Sequence, residues 1–195
     1  AQNDTLFILD EVQTGLGRTG KIWGFEHYHV QPDMVVTGKG LSGGIYPIAA
    51  TIFHEKLNRV FADDPFIHIS TFGGSEIGCY AALEVLHIVQ EPGFLENVNS
   101  ISEKITLMFA RFQQQFPQLI FGTRQLGLMI GLAFHQEVAP FFSKVAYDHQ
   151  ILSIYASHDK RIAQILPPLI MTDTEIHIMS ERFERALSQL QEMLE

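Results

Sequence analysis

The chain has 195 residues, with 13 Lys and Arg against 22 Asp and Glu and a formal net charge of −9. That acidic balance argues against a broad nucleic-acid footprint, which needs clustered basic residues. A composition of 46% hydrophobic and 18% charged residues excludes an intrinsically disordered chain.

The N-terminal stretch AQNDTLFILDE lacks the basic start and long apolar run of a signal peptide. No later segment reaches the ~18 apolar residues of a membrane span. Cys79 is the one cysteine, so no disulfide can form within the chain. A cytoplasmic protein with no membrane or nucleic-acid partner is the expectation.

Residues 6–9 (LFIL) form a short apolar run that predicts a strand buried on both faces, ending at Asp10 and Glu11. Residues 14–24 hold four glycines and read as a loop. Residues 34–37 (MVVT) predict a second buried strand, followed by Gly38-Lys39-Gly40, and residues 47–53 (PIAATIF) a third. A helix is expected from Ser75 to Gln90, stopped by Pro92-Gly93. Another runs from Leu95 to Phe116, with apolar positions every three or four residues. Strands are expected at 119–121, 128–134 and 151–155, with a shorter helix around Ala139 to His149. Thr172-Asp173-Thr174-Glu175 fits a capping box opening a last helix. The pattern predicts α/β structure over residues 1–93 and a smaller α+β layer over residues 94–195.

The candidate chemistry lies in the first half. Asp10 closes one expected strand and Lys39 follows another, and ligands of open α/β sheets bind beyond the carboxyl ends of the strands. The same spacing also suits a structural ion pair, or a solvated lysine in a turn. A phosphate loop fails, because position 33 is Asp and position 40 is Gly where that pattern needs Gly and Ser or Thr. Glu26, His27 and His29 offer no third ligand in a metal spacing, and no metal is expected.

Read together, four segments are far more specific. DEVQTGLGRTGKIWGFEHYHVQPDMVVTGKGLSGGIYPIAA (10–50), STFGGSEIGCYAALEVL (70–86), TRQLGLMIG (123–131) and ILPPL (165–169) occur in one order. That series resembles the class III aminotransferases, a family that includes ornithine, acetylornithine and putrescine aminotransferases. The resemblance implies the aspartate-aminotransferase-like fold of pyridoxal 5'-phosphate (PLP) enzymes: part of a large-domain sheet over residues 1–93, then a small α+β domain. It implies PLP-dependent transamination from an amine or amino-acid donor, such as a diamine or ω-amino compound, to a keto-acid acceptor.

By the same resemblance Lys39 matches the lysine of the internal aldimine, a Schiff base with PLP. Asp10 matches the acid paired with the pyridine nitrogen. Gln13 matches the partner of the cofactor's 3′-oxygen, and Val12 the apolar residue on its ring. Thr71 matches a phosphate-binding hydroxyl contributed across a homodimer with shared active sites, where Gly73 and Gly74 allow close backbone approach. Aminomutases, racemases and decarboxylases use the same scaffold, and a fragment that only dimerises is the alternative from another class.

Two departures stand out. Many family members carry Arg three residues before the Pro-Pro pair, to clamp a substrate carboxylate; here that position is Gln164. Arg161 lies at an odd offset, so on an extended strand it faces the opposite way. The family is also considerably longer, so this chain reads as a C-terminal portion whose strands keep exposed edges and an uncovered face.

Overall fold

The computed structural model describes residues 5–195; residues 1–4, the start of the N-terminal stretch read above, lie outside the described residues. The chain divides into two compact units, Ala1–Leu95 and Glu96–Glu195.

The first unit is built on a three-stranded sheet in the order β1-β2-β3. β1 (Ile8–Asp10) and β2 (Met34–Thr37) run parallel, with Asp10 opposite Val36. β3 (Ala50–Phe53) pairs antiparallel with β2. The expected third strand began at Pro47, but the observed one starts at Ala50; proline has no N–H to give to a ladder. A short helix α1 (Arg59–Asp63), not foreseen from the sequence, precedes α2 (Glu76–Val89). Leu16, Leu41, Ala82 and Val89 form the buried core, with Trp23, Ile48, Val85 and Phe94 packed against it.

The expectation of a first strand buried on both faces is corrected. Leu6, Phe7 and Ile8 are 43%, 44% and 53% exposed. Among the described residues β1 is the edge of a three-stranded sheet, and no strand pairs with its outer side.

The second unit holds an antiparallel sheet in the order β4-β5-β7-β6. Its elements are α3 (Phe94–Gln115), β4 (Ile120–Leu126), β5 (Met129–Phe134), α4 (Ala139–Asp148), β6 (Ile154–Ala156), β7 (Asp159–Ile165) and α5 (Asp173–Leu194). β4 and β5 form a hairpin closed by Gly127, at φ +57°, and Leu128. Ile130, Leu132 and Phe134 of β5 and Ala163 and Ile165 of β7 alternate onto one buried face. The helices supply a phenylalanine cluster: Phe183 of α5 meets Phe109, Phe112 and Phe142 at ring-centroid distances of 5.4, 6.5 and 5.9 Å.

Strand β7 was not among the expected strands, because Lys160, Arg161 and Gln164 break its apolar run. The strand expected at 151–155 instead begins at Ile154. Ile151 N–H is taken by Ala146 O at 2.8 Å, a bond across the C-terminal cap of α4 that keeps the residue out of the strand ladder. The capping box forms as read: Glu175 accepts from Thr172 N at 2.7 Å, and Thr172 Oγ1 accepts from Glu175 N at 3.3 Å. Among the described residues no helix is long and apolar enough to cross a membrane.

Candidate active site

Parallel pairing brings the carboxyl ends of β1 and β2 side by side. Glu11 N donates to Val36 O at 2.8 Å, which continues the ladder one residue past Asp10. Asp10 is exposed, and its Oδ1 accepts from Val12 N at 2.9 Å. Val12 and Gln13 follow in the turn, both half-buried.

Two residues past β2, Lys39 opens a short 3-10 turn (Lys39–Ser42) with its side chain exposed. Its φ of +45° lies in the left-handed region, which a lysine enters at a cost of about 1–3 kcal/mol. Ser42 Oγ donates to Lys39 O at 2.8 Å and accepts from Gly44 N at 3.0 Å, bracing that strained turn. Gly38 lies close to Ala49, where an added Cβ would come within 3.4 Å of the Ala49 Cβ. Among the described residues neither Asp10 nor Lys39 takes part in an ion pair, so the two are not a structural salt bridge with each other.

Thr71 lies in an exposed turn ahead of α2. Gly73 there packs against Ser70, whose Cβ would stand 2.9 Å from an added Cβ, and Gly74 has φ +68°. His27 is engaged structurally: its Nε2 lies 3.0 Å from Thr19 O. Among the described residues no group of three or more His, Cys, Asp or Glu is placed to hold a metal.

Gln164 belongs to the second unit. It stands half-buried on β7, in register with Gly131 on one side and Ile154 on the other. Arg161, three residues earlier, is committed elsewhere. Its Nε and Nη2 donate to Asp159 Oδ1 and Oδ2, each at 3.0 Å, and its backbone N–H reaches Oδ1. That forked pairing lowers the Asp159 carboxyl below its ordinary pKa and raises Arg161 above its own, hydrogen bonding being the largest cause in both.

The residue that sequence reasoning left without a role is Glu11. It is 4% exposed, and its carboxylate accepts from Thr14 Oγ1 at 2.5 Å, Gly24 N at 2.9 Å and Phe25 N at 2.8 Å. An acid just ahead of a glycine-rich loop was the available signal, because a buried carboxylate must find donors.

Comparison with known proteins fits this architecture. An ornithine aminotransferase from Toxoplasma gondii, in a structure reporting partial PLP occupancy at the active site, has TM-score 0.88 and 27% identity, covering 98% of this chain and 45% of that one. N-acetylornithine aminotransferase from Stenotrophomonas maltophilia K279a has TM-score 0.85 and 27% identity, covering 98% and 49%. The fold is therefore that of the PLP-dependent aminotransferases.

An uncharacterized aminotransferase from Archaeoglobus fulgidus is 46% identical, across 97% of this chain and 46% of its own length. The family model for class-III aminotransferases matches residues 1–187, and the chain belongs to that family. It spans about half the length of these relatives.

Proposed function

We propose that this chain carries the lysine-bearing part of a PLP-dependent aminotransferase site, acting on an amine donor and a keto-acid acceptor. Residues 1–93 correspond to the C-terminal part of the cofactor-binding large domain, and residues 94–195 to the small domain. The observation that carries the reading is the placement of Asp10 at the carboxyl end of β1 and of Lys39 two residues past that of the adjacent parallel β2, both exposed and free of ion pairs among the described residues.

The residues present fit the cofactor. With Oδ1 held by Val12 N, Asp10 keeps Oδ2 for a protonated pyridine nitrogen. Lys39 Nζ would hold the cofactor through its primary amine and would move a proton at the substrate carbon. Gln13 offers an amide to the ring oxygen and Val12 an apolar contact to the ring face. PLP, when bound, supplies the electron sink for the substrate carbon.

Thr71 would donate its hydroxyl to the phosphate held by the other protomer, so the working form is a homodimer with shared sites. Exposed Ile77, Tyr80 and Leu83 of α2 give the first unit an apolar helix face suited to a second copy. The uncharged Gln164, with Arg161 bound to Asp159, supports a donor without a carboxylate at that position, such as a diamine or ω-amino compound.

The test is to incubate the protein with PLP, reduce it with borohydride and map the adduct by peptide mass. The adduct is expected on Lys39 and absent from Lys39→Ala. Labelling scattered over Lys56, Lys104 and Lys144 would refute the assignment.

A further inference from the structure

We propose that Glu11 is a positioning residue of this site: by binding Thr14, Gly24 and Phe25 it fixes the Asp10–Gln13 strip that faces the cofactor. The inference rests on the functional reading above, because it assigns Glu11 to the same site.

Every polar group of Glu11 is engaged. Its N–H is on Val36 O at 2.8 Å, its C=O takes Gly15 N–H at 3.0 Å, and its two carboxylate oxygens take three donors. The residue therefore ties three places together: the end of β2, the turn at 12–15 and the start of the 3-10 turn Gly24–Tyr28.

Backbone pairing with β2 holds the strip only at its start, where Asp10 lies opposite Val36. The Asp10 side chain has one hydrogen bond, and that bond is to Val12 within the strip itself. The surroundings are shaped to the carboxylate. A Cβ on Gly24 would come within 3.1 and 3.3 Å of the two Glu11 oxygens, so glycine lets the N–H approach.

An amide cannot copy this arrangement. A carboxylate only accepts, whereas the NH2 of glutamine would confront the N–H of Gly24 or Phe25. The second acid of the loop provides a matched control. Glu26 Oε1 accepts from Trp23 N at 2.8 Å, and among the described residues its carboxylate makes no hydrogen bond to the Asp10–Gln13 strip.

The experiment compares Glu11→Gln, Thr14→Val and Glu26→Gln by amide hydrogen exchange without cofactor and by PLP titration followed through absorbance. In Glu11→Gln, exchange at Val12, Gly15, Gly24 and Phe25 should rise about tenfold while the β2 amides hold, and PLP binding should weaken about tenfold. Thr14→Val should shift both readouts in the same direction by less, and it carries the test if Glu11→Gln does not fold. Glu26→Gln should leave Val12 and Gly15 and the PLP affinity unchanged.

Unchanged exchange at those four amides would overturn the proposal. So would acceleration spread evenly through β2, which marks a merely structural acid, or wild-type PLP affinity in both Glu11→Gln and Thr14→Val. A wild-type protein that takes up no PLP at Lys39 refutes the functional reading instead, and exchange alone then decides the role of Glu11.

Discussion

Replacing Gly15 by alanine puts one methyl group where the loop has no room. The added Cβ would lie 2.8 Å from both Cε3 and Cζ3 of Trp23 and 2.9 Å from Glu11 O. To reach ordinary contact at 3.4 Å, the indole must retreat by about 0.6 Å. Trp23 is stacked on Phe25 with an interplanar angle of 6° and packs on the unit's core, so it has little freedom to yield. The backbone oxygen of Glu11 has still less. Overpacking of this kind costs about 1–3 kcal/mol, and the lower entropy of the unfolded alanine chain returns about 0.4–1 kcal/mol. The net expectation is a destabilisation of about 1–2 kcal/mol. Trp23 is the chain's single tryptophan, so urea unfolding followed by its fluorescence reports on this loop directly. A stability equal to or above wild type, with an unshifted emission maximum, would refute the steric argument.

Phe183→Ala should cost about 3–5 kcal/mol by chemical denaturation followed by circular dichroism, since the ring is fully buried among three others; a loss below about 1.5 kcal/mol would contradict the core described here. Thr172→Ala should cost about 1 kcal/mol at neutral pH through loss of the α5 cap. Hydrogen bonds from Thr172 lower the Glu175 carboxyl below its ordinary pKa, so its contribution is present above that ordinary value and lost as pH falls through the lowered one. The gap between wild type and Thr172→Ala should therefore narrow below about pH 4, as read from thermal melts across pH. Gln164→Arg should raise kcat/KM for α-amino-acid donors relative to diamines; an unchanged ratio would remove position 164 from substrate recognition.

Some of this molecule is legible in its residues and some is not, and the division has a physical cause. The Thr172–Glu175 box is local, since its donors and acceptors lie within one helical turn, and it reads off directly. The placement of Asp10 and Lys39 at strand ends is legible because each follows an apolar run short enough to be a strand. Glu11 was seen but given no role, since two of its partners are backbone N–H groups 13 and 14 residues away, and backbone groups leave no mark in a sequence. Strand β7 was lost for a related reason. Its alternation shows in burial, with Ala163 and Ile165 inside and Gln164 between them, but the charged Lys160 and Arg161 hide it from an apolar count. Arg161 keeps its charge within its own strand through Asp159. The apolar content of β1 reads as burial on both faces, and its exposure was legible only through the chain's length, which leaves strands with exposed edges and an uncovered face.

On the role proposed for Lys39, its left-handed backbone sets foldability and chemistry at odds on a single residue. Glycine or asparagine would sit there with less strain, so a library sorted for heat tolerance alone should enrich Lys39→Gly. Each such winner would have traded the one amine at that turn for a more relaxed chain. Under the proposed role of Lys39, engineering for robustness has to screen for cofactor retention at every round, or it selects against the amine that the proposal needs.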